Sequence, residues 1–196
     1  AARHGLQRPF LLSCSQRWLH KQHPLVLRAF ADFVALNPQL PVDLVFTGET
    51  SDYRDPSHAQ LFDQLVHSLG LAGRVHVLGM IPRAEQLALI QLSMALIQAS
   101  LFEGGPGASG ALEAALLGTP VIASDIGPNR ELMFGHCLYF DARSEPALSA
   151  RISEVVARVA AADPAALEKR PPFDAQALQL MRSASAMQLL GILRGA

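Results

Sequence analysis

Net charge is what this chain of 196 residues has least of. Sixteen Lys and Arg stand against seventeen Asp and Glu, a formal charge of −1. A balance that close offers no broad field for nucleic acid. Cysteine is nearly absent too. Cys14 and Cys137 lie in apolar, strand-like stretches and read as buried free thiols, which favours a reducing compartment over a disulfide scaffold. No apolar run reaches the roughly 18 residues of a membrane span. The chain has no initiator Met and no signal peptide; it begins at Ala1 and runs straight into a strand, which reads as a domain excised from a longer protein. Internal repeats are missing, and the only low-complexity tract is the alanine-rich Ala157–Ala166. What is abundant is apolar side chain. Half of the residues are hydrophobic, enough to rule against disorder and to fill one core across residues 1–196.

Strand-like and helix-like stretches alternate along the chain. Strands are expected at Phe10–Ser15, Val42–Thr47, Val75–Leu78, Ala95–Ala99, Val121–Ala123 and Leu138–Phe140. Helices are expected at Pro24–Leu36, Ser57–Leu69, Arg83–Leu92, Glu145–Ala161 and Asp174–Leu193, with a short helical turn at Asn129–Met133. Near-continuous apolar strands between helices predict an α/β fold with a doubly wound parallel sheet, Rossmann-like, covered on both faces. Ligands of such sheets bind beyond the carboxyl ends of the strands. The chemistry-bearing loops all fall on that edge.

The chain is organised around Ser100–Glu131. A buried strand leads into Gly104-Gly105-Pro106-Gly107, after which Ala108 and Ser109 open a helix containing Leu112, Leu116 and Leu117. Ser109 is expected to cap that helix. Free amides at a helix N-terminus attract anions, and the glycines, Gly110 included, point to close backbone approach. Glu103 and Glu113 bracket this loop. Amides flanked by carboxylates suit a ligand that carries both phosphates and hydroxyls, such as a nucleotide sugar.

The run from SLFEG through LEAALLGTPVIASDIGPNREL resembles the donor-binding signature of the retaining glycosyltransferases of family 4. The resemblance extends over roughly Phe10 to Phe140. Two residues more separate Glu103 from Glu113 than the family usually has. The resemblance implies a GT-B enzyme of which this chain is the C-terminal, donor-binding half. That enzyme would transfer a sugar with retention, from a UDP- or GDP-linked donor, to a glycan or lipid-linked acceptor held by an N-terminal domain absent from this chain. It implies no metal and no other cofactor, no nucleic acid and a cytoplasmic location, at most peripheral to the inner membrane face. By itself the chain would transfer nothing. Glu113 would hold the ribose hydroxyls and Glu103 those of the donor sugar. The backbone around Gly105, Gly107, Ala108, Ser109 and Gly110 would meet the diphosphate.

Three further loops reach the same edge. Ser15–Pro24 contains Arg17, His20, Lys21 and His23. Lys21 and Arg17 are candidates to neutralise a diphosphate leaving group; from residue type alone they read equally as solvated surface cations. Lys21 is expected to be dispensable for folding. Gln16 stands where the family has an arginine. The histidine pair lacks a third ligand and reads as hydrogen-bonding rather than metal-binding. Leu78–Arg83 offers Met80 and Ile81 for packing on a base, with plain core as the alternative. Gly48, in Thr47–Asp52, would let the chain turn close to a ligand. Glu49, Asp52, Arg54 and Asp55 are expected on a solvated surface. A dinucleotide-binding domain is disfavoured, because Ser13-Cys14-Ser15-Gln16 supplies no Gly-rich fingerprint. A non-catalytic nucleotide-sugar-binding module is the remaining alternative, and an upstream domain in the full-length gene would decide against it.

Overall fold

Six strands pair in parallel: β1 (Phe10–Cys14), β2 (Asp43–Thr47), β3 (Val75–Val77), β4 (Ala95–Gln98), β5 (Val121–Ser124) and β6 (Cys137–Phe140). Their order is β3-β2-β1-β4-β5-β6. The helices between them are α1 (His23–Leu36), α2 (Ser57–Ser68), α3 (Arg83–Leu92), α4 (Ser109–Leu116), α5 (Gly127–Glu131) and α6 (Glu145–Ala161). The computed structural model describes residues 1–52, 54–55, 57–103, 109–131 and 137–162. The expected helix Asp174–Leu193 and the loop residues Gly104, Gly105, Pro106, Gly107 and Ala108 lie outside the described residues.

The sheet is apolar on both faces because neighbouring side chains point opposite ways. In β1, Leu11 packs with α1, α2 and α6, in a cluster holding Phe30, Phe62 and Ile152. Phe10 and Leu12 pack on the other face with Leu89 and Ile90 of α3 and Ala111 and Ala114 of α4. The same split separates Ile122 from Val121 and Ala123 in β5. Two helical layers therefore sandwich one sheet, as the near-continuous apolar strands led one to expect.

Local side-chain signals set two of the helix ends. Ser144 accepts from the Ala147 N–H at 3.2 Å and caps α6, with a proline in its first turn. Asn37 closes α1 by donating its amide to the Phe33 carbonyl at 2.9 Å. One expectation shifts. The helix at the end of the central stretch starts at Gly127, not Asn129. Asn129 is buried inside it, its amide donating to the Ser124 carbonyl at 2.8 Å, so its side chain closes the β5 turn and starts nothing.

Candidate functional site

The strand order reverses at β1, which has β2 on one side and β4 on the other. Chain leaving β1 and β4 at their carboxyl ends diverges there and leaves a crevice. A cavity of about 290 Å³ occupies it. Its walls come from the ends of four strands: Cys14 closing β1 and Gln16 after it, Gly48 after β2, Met80 and Ile81 after β3, and Gln98 of β4.

Lys21 reaches the cavity from a short helical turn, Leu19–Lys21, that ends in Gln22. Gln22 has the left-handed φ of 53° and is the only described residue other than glycine with a positive value. Its side chain holds that shape by donating to the carbonyls of Ala99, at 2.8 Å, and Ala142, at 2.6 Å. The Leu101 N–H donates to the His20 carbonyl at 2.8 Å, and the His20 and Phe102 rings stack with centroids 4.3 Å apart. The Lys21 turn and the Glu103 loop are thus laced together.

The lacing brings two charges into contact. The Lys21 ammonium donates to both oxygens of Glu103, at 2.7 and 2.9 Å. Both side chains are nearly closed to solvent, at 8% and 5% exposure. Lys21 is therefore not the solvated cation that its residue type suggests, and a pair this closed argues that folding depends on it. Gln98 adds a third donor to Glu103, at 2.6 Å. Burial pushes the Glu103 carboxyl up; hydrogen bonds from Lys21 and Ser100, the Lys21 charge and Gln98 outweigh it, and the group ends below its ordinary value. It stays ionised.

Arg17 goes elsewhere. It is buried, with its guanidinium carbon 4.0 Å from the centre of the Phe62 ring, and it does not line the cavity. Only its backbone joins the loops, donating to the Glu49 carbonyl at 2.8 Å. Gln16, one residue earlier, is the side chain on the cavity wall.

Gly48 holds the next loop against the first. Its φ is +122°, and a Cβ there would lie 2.5 Å from the Ser15 carbonyl oxygen. It also donates to the Gly79 carbonyl at 2.9 Å. Only glycine permits that approach. Gly110 differs: a Cβ would meet Cys14 and Leu96 at 3.7 Å, an ordinary contact, so packing does not demand glycine there. Met80 is 74% exposed and lines the cavity beside Ile81, which sets aside the plain-core reading for Met80, whereas Ile81 packs in part against the core. Asp52, expected on the surface, is buried and accepts from the Arg54 backbone and side chain.

Glu113 lies in the second turn of α4 and is 1% exposed. The Arg83 guanidinium closes over it as an ion pair. Arg83 lines the cavity while Glu113 does not. Cys14 forms part of the floor, its thiol pushed up to about 11 by burial, so it is inert at neutral pH. His20 and His23 part company: His23 is buried edge-on to Phe46 and bonded to the Ser15 hydroxyl at 2.9 Å. Among the described residues no three His, Cys, Asp or Glu side chains cluster as a metal site. No helix among them is long and apolar enough to cross a membrane.

Residues 2–158 match the family model described as glycosyl transferases group 1. The chain belongs to the group 1 glycosyl transferases. Anabaena HepE in complex with UDP superposes with a TM-score of 0.70 at 21% identity, over 94% of this chain and 51% of that one. Sucrose-phosphate synthase from Thermosynechococcus elongatus gives 0.67 at 23%, over 97% and 48%. A glycosyltransferase from Rickettsia africae gives 0.68 at 20%, over 84% and 41%. The fold is the Rossmann-like α/β layer structure of GT-B glycosyltransferases, and the chain spans about half the length of these structures. No curated protein matches it in sequence.

Gln98, Arg83, Gln86 and Gln22 are absent from the sequence-based list of candidates. Gln98 alone left a signal, as a polar residue closing the apolar run Ala95-Leu96-Ile97.

Proposed function

We propose that this group 1 glycosyl transferase chain is the donor-binding half of a retaining, family 4-type hexosyltransferase that uses a UDP-linked sugar. The observation that carries the reading is the closed Lys21–Glu103 pair, whose lysine lines a cavity at the reversal of strand order. A UDP-bound HepE and a HepE complex with UDP and glucose among the structural neighbours favour uridine over guanosine. Met80 and Ile81 pack on the base. The ribose hydroxyls go to Glu113 beneath Arg83, and Glu103 takes hydroxyls of the donor sugar. Lys21, with three N–H donors of which two lie on Glu103, neutralises the departing diphosphate in the role a metal plays elsewhere. The Gly110 end of α4 supplies backbone amides. Arg17 takes no part. A glycan or lipid-linked acceptor is brought by an N-terminal domain, in the cytoplasm or at the inner membrane face, and this chain by itself transfers no sugar.

Titration calorimetry tests the donor site. UDP and UDP-glucose release heat on binding and GDP binds more weakly. Absence of heat with every nucleoside diphosphate overturns the reading, as does sugar transfer by the purified chain.

A further inference from the structure

We infer that Gln98 is a positioning residue that fixes the Glu103 carboxylate from the rigid side of the cavity. The inference rests on the proposed donor site. β4 is buried on both faces, and Gln98 ends it at 6% exposure. A buried amide is costly unless its hydrogen bonds are made. The Gln98 Nε2 donates to Glu103 Oε1 at 2.6 Å and lies 3.2 Å from Ser100 Oγ. A carboxylate can only accept, so the nitrogen and not the oxygen faces Glu103. Glu103 itself stands on a loop, beyond the last strand residue. Lys21, its other partner, stands on a turn. Gln98 is the one partner that belongs to the sheet, paired in register with Ala123 of β5. A site is held best from such elements.

Gln98 and Lys21 hold Oε1 from two directions while Lys21 alone holds Oε2. The Ser100 hydroxyl also donates to this carboxylate, so its roughly four lone-pair positions are filled and its orientation is fixed in the ligand-free chain. Without Gln98 the carboxylate keeps its counter-ion but can rotate about its terminal bond. The other charges nearby are His20, on the Lys21 turn, with Asp52 and Arg54 beyond it; none of these bonds to the carboxylate in place of Gln98.

Two variants separate positioning from packing. Gln98→Met keeps the shape and removes the donor. Gln98→Glu keeps the shape and sets a second carboxylate against Glu103. The first measurement is the carboxyl-carbon NMR titration of Glu103 in the ligand-free chain. Its midpoint rises in Gln98→Met and rises further in Gln98→Glu. The second is the ratio of UDP-glucose to UDP affinity, which falls about tenfold in Gln98→Met, the worth of one hydrogen bond to a charged group, while UDP affinity itself holds. Should either variant fail to fold, Ser100→Ala removes the neighbouring donor and raises the same midpoint to a smaller extent. An unchanged Glu103 titration in folded Gln98→Met overturns the inference and leaves the donor site standing. A wild-type chain that binds UDP-glucose no better than UDP overturns the assignment of Glu103 to the sugar, and the positioning role with it.

Discussion

The Lys21 ammonium spans both oxygens of Glu103, at 2.7 and 2.9 Å, in a place that water barely reaches. Two residues 82 positions apart in the chain, on segments that follow the neighbouring strands β1 and β4, thus form one closed unit. Removing one member leaves the other charged and buried, which typically costs about 3–5 kcal/mol. Lys21→Ala should therefore unfold at clearly lower urea than the parent and also lose nucleoside-diphosphate affinity. Glu103→Gln in the same background removes the stranded charge and should restore much of the stability without restoring the affinity. Urea denaturation of the two single variants and the double variant measures both effects. Additive losses would show that the two side chains do not act as a pair.

Acid should weaken the fold in two steps. Burial, then the Lys21 charge, hold the His20 ring below its ordinary value. Stability from that group is complete above the unfolded histidine value of about 6.5 and is lost as pH falls through the folded value. Glu103 is depressed on balance as well. Its contribution is complete above about 4.3 and disappears as pH falls through the lower folded value. A thermal-melting series from about pH 8 down to about pH 2 should show a first decline that His20→Asn removes and a second, below about pH 4.3, that Glu103→Gln removes. A His20→Asn curve parallel to the parent throughout would contradict the first step.

Most of the fold was legible because both faces of the sheet are apolar and the helices carry their own stop signals. Asn37 and Ser144 end and begin helices just where residue type suggests. Long-range pairing was not legible. Nothing in the local pattern says that Lys21 is sealed by a carboxylate 82 positions away, or that Arg83 closes over Glu113 from another helix. Arg17 read as a phosphate ligand because it stands in the right loop. Its guanidinium turns onto the Phe62 ring of α2 instead, and a ring on another element leaves no mark on the residues around Arg17.

That placement gives Arg17 a structural role. A guanidinium on a ring face is worth about 0.5–2 kcal/mol when partly desolvated. Arg17→Met keeps an apolar stem against Phe62 and removes the charge. It should lower the melting temperature by a few degrees, about 1 kcal/mol in a domain of this size, and leave UDP affinity unchanged. Calorimetry and melting on the same sample check it. A loss of affinity for UDP but not for uridine would return Arg17 to the diphosphate.

Arg83 and Glu113 raise a sharper question, because the pair is asymmetric. Glu113 is 1% exposed and Arg83 is 47% exposed. Arg83 lines the cavity and also reaches Gln86 at 3.3 Å. A ribose that bonds to Glu113 must compete with the guanidinium for the same oxygen. Arg83 is the member open to solvent, so its guanidinium can swing out into water while a ligand takes its place on Glu113. Arg83→Ala should therefore bind uridine and UDP each about fivefold more tightly, the equivalent of about 1 kcal/mol, with pyrophosphate unaffected. Glu113→Ala should weaken uridine and UDP together. Titrating uridine, UDP and pyrophosphate into both variants separates this from the other role open to Arg83. If the guanidinium instead swings onto the diphosphate, Arg83→Ala weakens UDP and pyrophosphate and leaves uridine alone, and the competition for Glu113 is not what governs binding.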